Sequence, residues 1–248
     1  MHPRNLAPRL RPSDLAYWLL AIVSIAVIPL GPFAGLAALR MAPTILLAAI
    51  ALPRTRSRFG TTIGWGLFFG ACGDWFLSTF DPDLAGFGVI AFLIGHICYM
   101  TGLRRAGWQA TSARRAIVVA LLSFGVAYAG YIAWVNPMQP VSHILWFDLH
   151  PAPQMLPVAP ALLAYTPVLI GMASVAVLRR GSRLLAAGAL VFVASDAMIP
   201  LNQFLLPRAP GAVCASNWLM VAGFVTYYGA QYWIARGAMA EAEAAVVA

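Results

Sequence analysis

Eight apolar stretches, each about as long as a bilayer is thick, follow one another through 248 residues with almost no charge inside them. A hydrocarbon core of roughly 30 Å takes ~20 helical residues to cross. In lipid every backbone N–H and C=O must find its partner within the chain, so unbroken runs of this length fold as helices. The runs are 14–33, 35–53, 60–80, 85–103, 115–135, 157–178, 184–206 and 212–235. They predict an all-α integral membrane protein, a single bundle of about eight transmembrane helices. Residues 1–13 form an N-terminal tail, 14–236 the transmembrane domain and 237–248 a C-terminal tail.

Composition agrees. Hydrophobic residues make up 61% of the chain and charged residues 10%, against about 25% charged in a soluble domain. The net charge of +8 comes from arginine alone, since the chain has no lysine. A basic chain can bind nucleic acid, but these arginines fall between the runs. One side holds Arg4, Arg9, Arg11, Arg54, Arg56, Arg58, Arg104, Arg105, Arg114, Arg115, Arg179, Arg180, Arg183 and Arg236; the other holds Arg40 and Arg208. Arginine gathers on the cytoplasmic side of membrane proteins. Fourteen against two therefore predicts cytoplasmic termini and a multi-pass protein of the inner cell membrane, surrounded by lipid and binding no nucleic acid.

The first run follows three arginines, as in a signal peptide, but continues too far for one and reads as a retained span. Cys72, Cys98 and Cys214 have neither metal nor redox spacing and read as small apolar residues. The longest connection, 136–156, contains His143, Asp148 and His150. With Trp146 beside them, these read as a wet loop at the interface rather than a metal site. Arg40, in the weakest run, is expected to snorkel to the surface.

The chemistry is expected inside the runs. Asp74 is the one charge in 60–80, and an acid at membrane depth normally faces a cavity or the bundle interior. Gly66, Gly70 and Asp74 are four apart and share a helical face, where glycine lets a neighbouring helix come close. Span four adds His96 and Tyr99. Span seven adds Ser195, Asp196 and Asn202, and span eight adds Tyr227, Tyr228 and Gln231. At ~1.5 Å per residue, Asp74 lies ~21 Å and Asp196 ~18 Å from the cytoplasmic ends of their runs, and His96 ~16 Å from the outer end of its own. All three then fall in the middle half of the core and can line one cavity. Pro200 cannot bond the carbonyl of Asp196, which predicts a kink beside it. His96 reads equally as a core histidine or a base, while Tyr165, between Pro160 and Pro167, reads as irregular packing.

Five segments in order resemble the YhhN family, which includes lysoplasmalogenases: GDWFL at 73–77, FLIGHICY at 92–99, YTPVLIGM at 165–172, GALVFVASDAMIPLNQF at 188–204 and YYGAQYWIARG at 227–237. The resemblance implies about eight spans and paired intramembrane aspartates, matching Asp74 and Asp196. It also implies hydrolysis of the vinyl ether bond of lysoplasmalogen, a lysophospholipid substrate, to a fatty aldehyde and a glycerophospho-alcohol. That reaction needs one carboxylic acid and one carboxylate, with no cofactor or metal. His96, Tyr99, Ser195, Asn202, Tyr227 and Gln231 are then expected to orient the pair or the water. One departure is Ala42-Pro43, where the family often has Lys-Pro. A proton-coupled transporter and a non-catalytic lipid-binding protein are the competing expectations, since buried acids also make proton relays.

Overall fold

The computed structural model describes residues 11–54, 57–79, 81–135, 158–200 and 217–247. Among them there are eight α-helices and no strand: α1 Pro12–Ala26, α2 Leu36–Arg54, α3 Arg58–Leu77, α4 Pro82–Leu103, α5 Ser112–Val135, α6 Val158–Leu178, α7 Arg183–Pro200 and α8 Asn217–Val247. The protein is a helical membrane protein. Pro12–Leu30, Leu36–Arg54, Gly86–Leu103 and Ser112–Tyr131 are each long and apolar enough to cross a bilayer, and Leu163–Leu178 is apolar but shorter. α5 makes the case most plainly. It packs mainly on α6 and leaves Val119, Leu122, Val126 and Trp134 more than half exposed, which water would not tolerate as one continuous face.

The helix ends follow local chemistry. Ser57 caps α3, its hydroxyl accepting from the Gly60 N–H at 3.1 Å, as an N-cap serine does. Asp14 in the first turn of α1 accepts from the Arg11 N–H at 3.0 Å. Gly107 and Gly181 close the turns beside α4 and α6 with φ of 70° and 136°, a region that favours glycine.

Glycines set the central contacts. α3 and α4 run antiparallel, and a Cβ on Gly95 would lie 3.0 Å from the Gly66 carbonyl. α7 and α8 approach as closely at Gly188, where a Cβ would meet the Ala230 carbonyl at 3.0 Å. Small residues at such crossings let backbones touch in membranes. α8 packs on α1, α2, α3 and α7, and α3 on α2, α4 and α8. These two helices form the middle of the bundle and bring its polar residues together.

Some expectations change. α8 has 31 residues, or ~46 Å at ~1.5 Å per residue, and does not stop near 235. Ala238 and Met239 are buried, so the helix packs against the bundle beyond the expected end of the eighth span. α7 is assigned as one helix from Arg183 through Asp196 to Pro200, with no interruption at the position where a kink was expected, and residues 201–216 lie outside the described residues. The histidine loop 136–156, Asn202, Arg208 and Cys214 also lie outside the described residues. Arg40 does not snorkel. It is 7% exposed, and its guanidinium carbon stands 4.9 Å from the Phe224 ring centroid, because the aromatic face offers the charge a partner inside.

Candidate active site

Asp74 is 6% exposed and is held from two sides. Thr44 of α2 donates its hydroxyl to Asp74 Oδ2 at 2.9 Å. Tyr227 of α8 donates to the same oxygen at 2.8 Å. Gln231, one turn further along α8, donates from Nε2 to the Tyr227 oxygen at 3.2 Å. Tyr99 of α4 donates to Gln231 Oε1 at 2.5 Å. Four helices thus meet in one chain of hydrogen bonds. Gly70 makes room for it: a Cβ there would sit 2.9 Å from Gln231 Nε2. Gly66 makes room for the Tyr99 ring in the same way. The four-residue spacing of Gly66, Gly70 and Asp74 is therefore a face built to receive α4 and α8.

Asp196 has a separate set of partners. Tyr165 of α6 donates its hydroxyl to Asp196 Oδ2. The Tyr165 oxygen also stands 2.6 Å from His96 Nε2, and His96 Nε2 is 3.7 Å from Asp196 Oδ2. The His96 side chain is 1% exposed and that of Asp196 12%. The imidazole meets the Phe192 ring edge-on at 4.7 Å between centroids.

Phe192 joins the two clusters. Its ring lies 5.5 Å from that of Tyr227, which holds Asp74, while its other contact is His96. Among the described residues no hydrogen bond links the two carboxyls directly. Both lie toward the C-terminal ends of their helices, Asp74 three residues before Leu77 and Asp196 four before Pro200.

Of the residues expected at the site, Asp74, Asp196, His96, Tyr99, Tyr227 and Gln231 are all in this polar layer. Ser195 is not: it donates to the Gly223 carbonyl at 2.9 Å and ties α7 to α8. Thr44 and Tyr165 are the two that sequence reasoning passed over. The available signal for Thr44 was its place four residues after Arg40, on one helical face. Behind the layer, Tyr228 donates to the Arg40 carbonyl at 3.0 Å and pairs with the Ser24 hydroxyl at 2.8 Å. This fixes α8 against α1 and α2.

The profile of the YhhN family matches residues 36–238, a stretch that includes every residue just described except Ser24. The chain belongs to the YhhN family. Lysoplasmalogenases of Mycobacterium bovis and Mycobacterium tuberculosis are each 30% identical to it over 225 residues, covering 86% of this chain and 80% of theirs. No solved structure matches the chain. In this YhhN-family protein the matched segment begins at α2, so α1 lies outside it although Tyr17 and Ser24 of α1 both touch Tyr228.

Proposed function

We propose that this protein hydrolyses the vinyl ether bond of a lysoplasmalogen, using Asp74 and Asp196 as a carboxylic acid and a carboxylate. The observation that carries the reading is the two carboxyls, Asp74 buried and Asp196 12% exposed, each accepting from a tyrosine hydroxyl, with the Phe192 ring between His96 and Tyr227. The named activity of the mycobacterial relatives supports it. The chemistry is acid catalysis. Protonation of the vinyl β-carbon gives an oxocarbenium ion. Water adds at the carbon bearing oxygen, and the hemiacetal collapses to aldehyde and alcohol. A carboxylic acid held near the double bond donates the proton, and a carboxylate stabilises the cation or the water. Purified protein given lysoplasmalogen should release fatty aldehyde, which neither a transporter nor a lipid-binding protein would do.

The same reading places the headgroup. Arg40 is four residues from Thr44, which bonds Asp74, so the two positions share one face of α2 about one helical turn apart. In a lysoplasmalogen a short glycerol unit separates the vinyl ether from the phosphate, and one helical turn matches that span. We assign Arg40 to the phosphate, in the helix where the family often carries Lys-Pro. A charge-assisted hydrogen bond is worth about 1.5–3 kcal/mol. Arg40→Gln should therefore raise KM roughly ten- to hundredfold for lysolipid, with less effect on a vinyl ether that has no phosphate. An equal effect on both substrates would remove Arg40 from the headgroup.

The topology belongs to the reading as well: eight crossings of the inner membrane, both termini cytoplasmic. The arginine split supports it. Reporter fusions after Gly107 and Gly181 should give cytoplasmic signals, and fusions near Asp83 and Gln154 outer ones. A periplasmic signal at Gly107 would reverse the orientation.

A further inference from the structure

We propose that His96 Nδ1 is the base that takes the proton of the attacking water, with Asp196 supporting the imidazole through Tyr165; this rests on the vinyl ether hydrolysis proposed above. The order of donors points to it. Tyr165 has one hydroxyl proton and donates it to Asp196. Its oxygen, 2.6 Å from His96 Nε2, then accepts there, so Nε2 carries the ring hydrogen. A neutral imidazole has one N–H, which leaves Nδ1 a bare acceptor. Nδ1 is buried and has no hydrogen-bond partner among the described residues. Buried acceptors are nearly always paired, and an orphan in a folded protein calls for an explanation. A reacting water is that explanation here. The sequence carboxylate, hydroxyl, imidazole, free nitrogen follows the logic of a catalytic triad, with a tyrosine interposed. Phe192 and Tyr165 hold the ring from its edges, at 4.7 Å and 5.3 Å between centroids.

Asp74 is then the acid. Its Oδ2 takes both the Thr44 and Tyr227 hydroxyls, and Oδ1 takes neither, so Oδ1 can carry the proton. Asp74 protonates the β-carbon: a C–H bond forms from the C=C π pair and the ether oxygen shares its charge. Water attacks the neighbouring carbon and gives its proton to His96 Nδ1. The hemiacetal hydroxyl then returns a proton to Asp74, the C=O bond forms, and the C–O bond to glycerol breaks. The leaving oxygen takes the proton from His96. Both groups end as they began, and the sum is one water added. Tyr165 is a positioning residue in this scheme, acting on His96 without meeting the substrate.

Deuterium separates a base from a structural histidine. In D2O the acid step delivers deuterium to the β-carbon. If water attack is slowed, the oxocarbenium ion loses a β-proton and returns to substrate carrying the label. His96→Gln should cut aldehyde release by roughly 10²-fold or more while recovered lysoplasmalogen gains deuterium at the vinyl β-carbon. Asp74→Asn should show neither reaction. Near-normal hydrolysis in His96→Gln would overturn the proposal, and so would lost hydrolysis without exchange in a folded variant. Should His96→Gln fail to fold, Tyr165→Phe keeps the ring and is read in the same way. Slower hydrolysis with exchange supports the base; hydrolysis unchanged, or lost without exchange, overturns it. If the unmodified protein releases no aldehyde, the parent reading fails with it, so the two failures are distinguishable.

Discussion

Asp74→Asn and Asp196→Asn should each cut aldehyde release by roughly 10²- to 10⁴-fold, the usual contribution of a general acid or base. Asparagine keeps the shape of aspartate and accepts the Thr44, Tyr227 and Tyr165 hydroxyls, so the variants should insert and fold. What they lose is the acidic proton in one case and the charge behind His96 in the other. The double variant should be little worse than the singles, because residues that act as a unit are strongly non-additive. Comparing kcat across the three folded proteins checks this. A single variant with near-full kcat would remove that aspartate from the reaction.

The largest expected effect on stability lies at the other end of the bundle. Arg179, at the end of α6, is 3% exposed and makes a bidentate pair with Glu241 of α8, both contacts at 2.7 Å. Glu241 also accepts from the Ser182 N–H at 2.5 Å, and the Arg179 guanidinium carbon lies 4.9 Å from the centroid of Phe59 in α3. The Arg179 carbonyl accepts from Arg114 of α5 at 2.7 Å. One residue thus ties together α3, α5, α6 and α8. Glu241→Ala leaves that charge buried without its carboxylate, and breaking a buried pair from one side costs about 3–5 kcal/mol. The unfolding midpoint in detergent should fall accordingly. Arg179→Met with Glu241→Leu should recover most of the loss, since an apolar replacement of both partners is often neutral. If Glu241→Ala unfolds at the wild-type midpoint, α8 is not held by this contact.

Much of this was legible in the sequence because membrane depth makes each polar residue informative. An acid inside an apolar run is costly wherever it is not used or paired, so Asp74 and Asp196 stood out without any structure. Gly66 and Gly70 were readable for a related reason: four-residue spacing places them on the face of Asp74, and that face does receive Tyr99 and Gln231. Tyr165 was not legible. Tyrosine is ordinary in a membrane helix, and only tertiary packing brings its hydroxyl between His96 and Asp196. Ser195 lies apart for the converse reason. Next to Asp196 in the chain, it points along a different direction of α7 and bonds the Gly223 carbonyl. Helix ends were the weakest part of the reading. Hydropathy falls after 235, yet α8 continues to Val247, and past 235 it packs through Ala238 and Met239 and the Glu241 pair.

The most direct measurement is aldehyde release from lysoplasmalogen by the purified protein in detergent, run beside Asp74→Asn and Asp196→Asn preparations that unfold at wild-type temperature. The account predicts fatty aldehyde and glycerophospho-alcohol in equal amounts from the wild type and at least ~10²-fold less from each variant. A folded wild type that releases no aldehyde, or variants that release it at the wild-type rate, would contradict it.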